Sequence, residues 1–451
     1  MITLGTEVAA LSRAERLAGL KRIIPQERIK QVLSRTGKDD RICPRLSPVF
    51  MVWFVLAMGL FCRDCYRQVF RWVHRFGKGG VPGRSTLCEA RRRLGVEALV
   101  ELARFTVRLL ADAQTPLAFY RHWRLMALDG FVIDVPDTPI NEKVFGRPTG
   151  SRAPGAFPQV RVVALCEAAT HVMYKWLTKP IGIAEQWMAN ALLAFLTPEM
   201  LLLWDRNFLS YQRVQDVVAR GAQLLARVKN WLIFQPIRHL SDGSFLAKLY
   251  RNTTDRKYDR YGILVRIIEY TFEDPHRPGA GEKHRLLTTL LDEACDPASV
   301  LIELYHVRWE QELAIDELKT HEMERSTLRS QTPAGVVQEL YALLIDHFII
   351  RVLMFEAAGK KGIDPCRLSF TGTLKILRCR IPECPRTLRG RQRWWSALLE
   401  EIGQETIAPR RNRINPRVIK RKMSKWKKKH PEHRGYPQPT KDFHAAIVIL
   451  R

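Results

Sequence analysis

Four polar residues of this chain, Tyr305, Arg308, Glu312 and Lys319, follow one another as Y-x2-R-x3-E-x6-K. At about 100° per residue this spacing predicts one narrow arc of a single helix over Pro297–Lys319. Leu304, Val307, Ala314 and Leu318 then form an opposite, buried face. A carboxylate between two cations and a phenol suits holding a metal ion beside a phosphate. The plainer alternative is a solvated face on which Glu312 pairs with Arg308 at i,i+4. Cutting a phosphodiester with two divalent ions needs more than one carboxylate, and two aspartates lie in suitable surroundings. Asp129 sits inside the apolar, β-prone run Arg124–Val135, where an unpaired carboxylate is costly and needs a partner or a metal. Asp205 ends Met200–Trp204, a wholly apolar run of the kind found in strands buried on both faces. Ligands of α/β sheets gather at such carboxyl ends. Alternatively, Asp129-Gly130 is a turn and Asp205 caps the next helix. Asp134 and Asp137 compete with Asp129 for the first position. Asp129 is preferred because Leu125–Leu128 makes the better strand, whereas Pro136 and Pro139 place Asp137 in a loop.

The elements that must position these residues follow from periodicity. Residues 1–118 read as helical, with segments at 26–35, 48–74, 86–94 and 96–112. Ser85 is the expected N-cap of the helix bearing Arg91, Arg92 and Arg93. The turn at Gly95 makes this region resemble a helix-turn-helix, and two packed helices with a basic edge fit equally well. Strands are expected at 124–135, 160–166, 171–177 and 200–204, with a helix at 183–196 before the last. Three strands, a helix and a strand is the opening order of a ribonuclease-H-like core. Alternation at 231–237, 245–250, 263–272 and 285–291, with turns at Asp242-Gly243 and Pro278-Gly279, predicts an antiparallel insertion over about 226–290. Helices resume at 297–319 and 334–358. The last ninety residues read as helical and then basic, and 410–429 contains no acidic residue.

The chain has 451 residues, 46% hydrophobic and 26% charged, with 73 Lys plus Arg against 46 Asp plus Glu. A formal charge of +27 in a chain of this size points to a polyanionic partner, nucleic acid first. The longest uncharged apolar run, Pro48–Cys62, falls short of the ~20 residues that span a bilayer and predicts a buried helix. The N-terminus does not read as a secretory signal. Nine scattered cysteines read as reduced thiols, mostly core filler, in a cytoplasmic protein.

Taken together the motifs resemble those of DDE transposases of the bacterial insertion-sequence-four type. The Y-x2-R-x3-E-x6-K signature is whole. The first acidic motif is LDG at 128–130, followed by VPDTPIN at 135–141 and FGRP at 145–148; the second is LLLWDRNF at 201–208, and NPRVIKRKMS at 415–424 is similar to the family's C-terminal end. The resemblance implies a multi-domain α/β protein. Its ribonuclease-H-like core carries the antiparallel β insertion between the second Asp and the Glu, and its terminal regions are helical. The expected division is 1–118 for DNA binding, 119–360 for catalysis and 361–451 as a helical and basic C-terminal region. It implies that Asp129, Asp205 and Glu312 hold two Mg²⁺ ions, which Mn²⁺ can replace. Arg308 and Lys319 would grip phosphates and Tyr305 would hydrogen-bond one. Trp309 is a candidate to stack on an unpaired base, with a core Trp as the alternative; Arg206 is a candidate DNA contact. Some relatives carry a Lys four residues after the Glu, where this chain has Asp316. The implied activity is cleavage and strand transfer on double-stranded transposon ends and target DNA, by a homodimer on DNA, in a nucleoid-associated bacterial protein without membrane contact. An inactive DNA-binding regulator and a nuclease that cuts without joining are the alternatives.

Overall fold

The structure is a computed structural model describing residues 15–39, 46–74, 80–148, 155–229, 231–277, 280–408, 418–419, 427–428 and 439–450. The Pro278-Gly279 turn and nearly all of the 410–429 and 415–424 segments lie outside the described residues. Among the described residues, the strands that concern the site are β1 (Trp123–Asp134), β2 (Gln159–Glu167), β3 (Val172–Pro180), β4 (Met200–Trp204), β5 (Gln223–Arg227), β6 (Phe245–Leu249), β7 (Ile263–Phe272) and β8 (His284–Thr288). The chain divides into two compact units. The first comprises Met1–Ala118, Asp129–Leu192 and Glu310–Ile407; the second comprises Phe119–Leu128, Leu193–Trp309 and Ala408–Arg451.

In the second unit the first half of β1 runs parallel to β4, in register from Arg124↔Met200 to Leu128↔Trp204. β4 is parallel to β5 in turn, from Leu201↔Gln223 to Trp204↔Ala226. Every residue of β4 is buried, as its unbroken apolar run requires. β5 then pairs antiparallel with β8, β8 with β7 and β7 with β6, which is the expected insertion. The stretch 231–237 departs from expectation. It forms no strand, and pairing begins only at Arg238–His239. Pro236 lacks the N–H a ladder needs, and Trp231, Ile233 and Ile237 point to solvent.

In the first unit β2 and β3 form an antiparallel hairpin, bulged between Leu165 and Cys166, beside β1. Phe131, Ile133, Val162 and Ala164 from the strands pack with Ala314, Leu318, Leu340 and Leu344 from helices. A larger core joins the N-terminal helices to the 29-residue helix Pro333–Lys361 and the helices Phe370–Arg380 and Leu388–Gln404. The apolar run forms the helix Pro48–Leu60, with Pro48 in its first turn and Ser47 accepting the Phe50 N–H. Eleven of its thirteen residues are buried, so it needs no polar stripe. The expected 48–74 helix is therefore two, the second being Tyr66–Val73. The arginine-bearing helix begins two residues early, at Arg84, with Gly83 at its N-cap rather than Ser85. Arg91 turns inward and donates to the Tyr66 hydroxyl and the Gly335 carbonyl, leaving Arg92 and Arg93 exposed. No helix among the described residues is long and apolar enough to cross a membrane. Cys62, Cys166 and Cys384 are core filler, but Cys65, Cys88, Cys295 and Cys379 are exposed.

Candidate active site

The two aspartates owe their positions to strand register. Leu128 and Trp204 are the last paired residues of two adjacent parallel strands, and the residue after each is an aspartate. Asp129 continues β1 and is half-buried, so it is not part of a turn; its Oδ1 accepts the Gly130 N–H at 2.8 Å. Gly130 is closely approached by a side chain. A Cβ there would come within 2.3 Å of Glu185 Oε1, the carboxylate that pairs with Arg161 at 3.6 Å. Asp205 is half-buried at the carboxyl end of β4 and accepts the Arg206 N–H at 2.8 Å. It does not cap the next helix, Tyr211–Ala219, because Ser210 does. Arg206 is exposed. The competing aspartates are engaged elsewhere: Asp134 accepts the Gln159 amide at 2.8 Å, and Asp137 pairs with Arg147, which also holds Glu142 at 2.8 Å.

The signature segment is not one helix. Ala298–His306 ends, Val307 and Arg308 turn, and a second helix runs Trp309–Asp316 before widening into a π-helical turn over Glu317–Glu322. The single polar arc is therefore broken at both ends. Tyr305 is buried, 6% exposed, with its hydroxyl 3.4 Å from the Trp204 carbonyl, the peptide group leading into Asp205. Burial drives its pKa upward. Arg308 lies 5.9 Å over the Tyr305 ring. Leu304 and Val307, expected on the buried face, are only half-covered, while Ala314 and Leu318 are fully buried as expected. Glu312 is half-buried on the second helix; the preceding Gln311 donates its amide to the Ala164 carbonyl on β2 at 3.0 Å. Trp309 is half-buried as well. Lys319 falls in the π turn, where burial lowers its pKa and the charge of Asp134 partly offsets that. Asp316 is exposed and accepts the Thr320 hydroxyl at 2.6 Å.

Sequence reasoning missed His171. It occupies the β2–β3 turn with a left-handed backbone, φ +58°, and its side chain is fully buried. Its Nε2 lies 2.8 Å from Glu310 Oε2 and its Nδ1 2.9 Å from Glu317 Oε1. Burial and the Arg351 cation push the ring's pKa down, but Glu317 and Cys366 outweigh them and raise it to about 10. Glu317 also accepts from Arg351 Nε at 3.0 Å and His347 Nε2 at 3.3 Å; despite burial, the charges of Arg351 and His171, with hydrogen bonds from His171 and His347, hold its pKa well below the usual carboxylate range. His171, Glu310 and Cys366 place three potential metal donors within 4.8 Å of one another, a set different from the expected carboxylates. Their atoms already satisfy one another, since Nε2 is at hydrogen-bond distance from Glu310 and the Cys366 thiol donates to the Ala169 carbonyl at 3.1 Å. The Arg351 guanidinium lies against the same ring, which disfavours another cation. The only local sign of this cluster is the seven-residue spacing of Glu310 and Glu317.

Two family models cover most of these elements. The insertion element 4 transposase N-terminal domain matches residues 14–104, and the transposase DDE domain matches residues 124–349. The chain belongs to the insertion-sequence-4 family of DDE transposases. It is 29% identical over 428 residues to the transposase InsG for insertion sequence element IS4 of Escherichia coli K12, covering 91% of this chain and 93% of that protein. A piggyBac transposase synaptic complex with hairpin DNA is a structural neighbour at TM-score 0.44 and 12% identity, over 85% of this chain and 84% of that one. The protein is thus an insertion-sequence transposase, a DNA-binding enzyme that cleaves and joins strands on a ribonuclease-H-like core. Its family works with divalent metal ions. The half-buried carboxylates described above fit such ions in kind, since hard cations take oxygen donors.

Proposed function

We propose that Asp129, Asp205 and Glu312 are the carboxylates of this transposase that hold two Mg²⁺ ions, with Mn²⁺ able to replace them. The observation that carries this reading is the register: the last matched pair of two parallel strands, Leu128↔Trp204, is followed on each strand by an aspartate, Asp129 within β1 and Asp205 just past the carboxyl end of β4. Bound there, such ions supply charge neutralisation for the attacking and leaving oxygens of a phosphodiester. The chain's own groups do the rest. Arg308 and Lys319 grip phosphates beside the scissile bond. Tyr305 braces the peptide before Asp205 through the Trp204 carbonyl, an inward role in place of a direct phosphate contact. Arg206, exposed next to Asp205, touches the DNA backbone, and Trp309 stacks on an unpaired base. Residues 1–118 bind the element ends, 119–360 carry catalysis, and 361–451 add a basic surface of nucleoid-associating character. A homodimer on DNA lets one molecule act at each end.

In this reading hydrolysis frees a 3′-hydroxyl at the element end, and that hydroxyl then attacks a second phosphodiester. Asp129→Asn, Asp205→Asn and Glu312→Gln should each lower Mg²⁺-dependent cleavage at least ~10³-fold, on the scale of losing an electrostatic transition-state contact. Binding to labelled element-end DNA in a mobility shift should stay within a few-fold. Parent-like cleavage by all three variants would remove the assignment. Cleavage without strand-transfer products by the parent would convert it to a nuclease.

A further inference from the structure

We propose that His171 is a positioning residue for Glu312: its ring ties Glu310 and Glu317 to the β2–β3 turn and fixes the rotation of the Glu312 helix about its axis. This rests on the reading of Glu312 as a metal-holding carboxylate. Glu310 and Glu317 are seven residues apart, which at about 100° per residue brings them onto one face two turns apart. Glu312 lies about 200° round from Glu310, on the far side of the same helix. A helix held only by small apolar contacts such as Ala314 can roll, and rolling swings Glu312 directly. His171 removes that freedom with one hydrogen bond before Glu312 and one after it, at 2.8 and 2.9 Å.

Both ends of the tie are anchored. On one side His171 belongs to a hairpin paired over its length, from Val160↔Pro180 to Glu167↔Val172. It holds a left-handed backbone that a non-glycine residue adopts at a cost, a pattern that concentrates where geometry serves function. On the other side Glu317 is gripped by Arg351 and His347 of the long helix Pro333–Lys361. The tie also spans the change from α to π geometry, whose last α residue is Asp316 and whose first π residue is Glu317. That junction is where helical pitch is least determined by the backbone alone. Gln311 adds a third point, to the Ala164 carbonyl on β2.

The test uses full-length His171→Ala and Glu310→Gln proteins with element-end DNA. Glu310 is at the exposed edge of the cluster, its side chain 23% accessible, so Glu310→Gln leaves the buried ion pairs in place and keeps the variant set informative if His171→Ala fails to fold. A misaimed ligand about 1 Å out of place is expected to cost on the order of 10–100-fold in cleavage. End binding should stay within twofold. The Mg²⁺ concentration for half-maximal cleavage should rise severalfold, and Mn²⁺ should restore more activity than Mg²⁺, because Mg²⁺ demands near-ideal octahedral geometry. A purely structural role would lower Mg²⁺ and Mn²⁺ activity in equal proportion and overturn the proposal. Parent-like cleavage and metal dependence in both variants would also overturn it, provided Glu312→Gln is inactive. If Glu312→Gln cleaves normally, the underlying site assignment has failed instead.

Discussion

The strand ends and the signature helices solve the same problem by different means. Asp129 and Asp205 are placed by a ladder: five consecutive matched pairs, Arg124↔Met200 to Leu128↔Trp204, settle where both strands end. Backbone hydrogen bonds set which residue follows the last pair on each strand, Asp129 within β1 and Asp205 beyond β4, so the side chains leading up to the aspartates need only be apolar and well packed. Glu312 has no such frame. Its helix is eight residues long, breaks from its predecessor at Val307–Arg308 and passes into a π turn. Its orientation depends on side-chain ties, Gln311 to Ala164 and the buried Glu310–His171–Glu317–Arg351 chain. Ladders tolerate substitution at single side chains; a helix clamped by buried charges does not.

The sharpest way to break this contrast is at Glu317. Glu317→Leu leaves Arg351 and His171 as buried cations without their shared carboxylate, and breaking a buried ion pair costs about 3–5 kcal/mol. Urea denaturation should show a loss of that size; one under ~1 kcal/mol would mean the charges are far less coupled than their geometry implies. The strand side should give way less. Gly130→Ala drives a methyl group into Glu185, yet that side chain is 25% exposed and can swing aside. The expected cost is at the lower end of the ~1–3 kcal/mol typical of overpacking, with cleavage reduced in proportion to any shift of Asp129.

Smaller still, His171 beside the second helix and His306 on the first should respond to pH with opposite sign. His171 has its folded pKa raised to about 10, so its contribution is complete below about pH 6.5, the unfolded value, and is lost as pH climbs through 10. His306, on the first helix, is half-buried, and loss of water around its ring, with the charges of His284, Arg227, Arg308 and Arg277, pushes its pKa down to about 4. Its neutral ring therefore favours folding above pH 6.5, and that advantage disappears as pH falls toward 4. Thermal melts of His306→Phe and the parent across pH 4–10 should differ only on the acid limb, the variant losing less stability there. Identical acid limbs would show that His306 is accessible to protons in the fold.

Much of this was legible in the residues. The all-apolar Met200–Trp204 run announced a strand buried on both faces, and the run into Asp129 announced its neighbour, because burial on two faces leaves an unmistakable absence of polar residues. The order of strands and helices, and the antiparallel nature of the insertion, followed from period and turn chemistry. Trp231–Ile237 misled because alternation is necessary for a strand but does not supply a partner, and Pro236 interrupts it. Arg91 misled because a basic run says nothing about which of its members faces the core.

By itself, then, the sequence determined most of the types and order of the elements, the apolar strands that lead into Asp129 and Asp205, and the family to which their motifs belong. Those properties depend on local periodicity, written within a few consecutive residues, whereas the register that pairs Arg124–Leu128 with Met200–Trp204 joins distant segments. Only the tertiary structure decided that the Y-x2-R-x3-E-x6-K stripe is cut into two helices and a π turn, that Tyr305 faces inward, and that His171, 139 residues before Glu310, holds the second helix. Such contacts join segments far apart along the chain, and no local pattern of residue types encodes which distant side chain will fill a given buried gap.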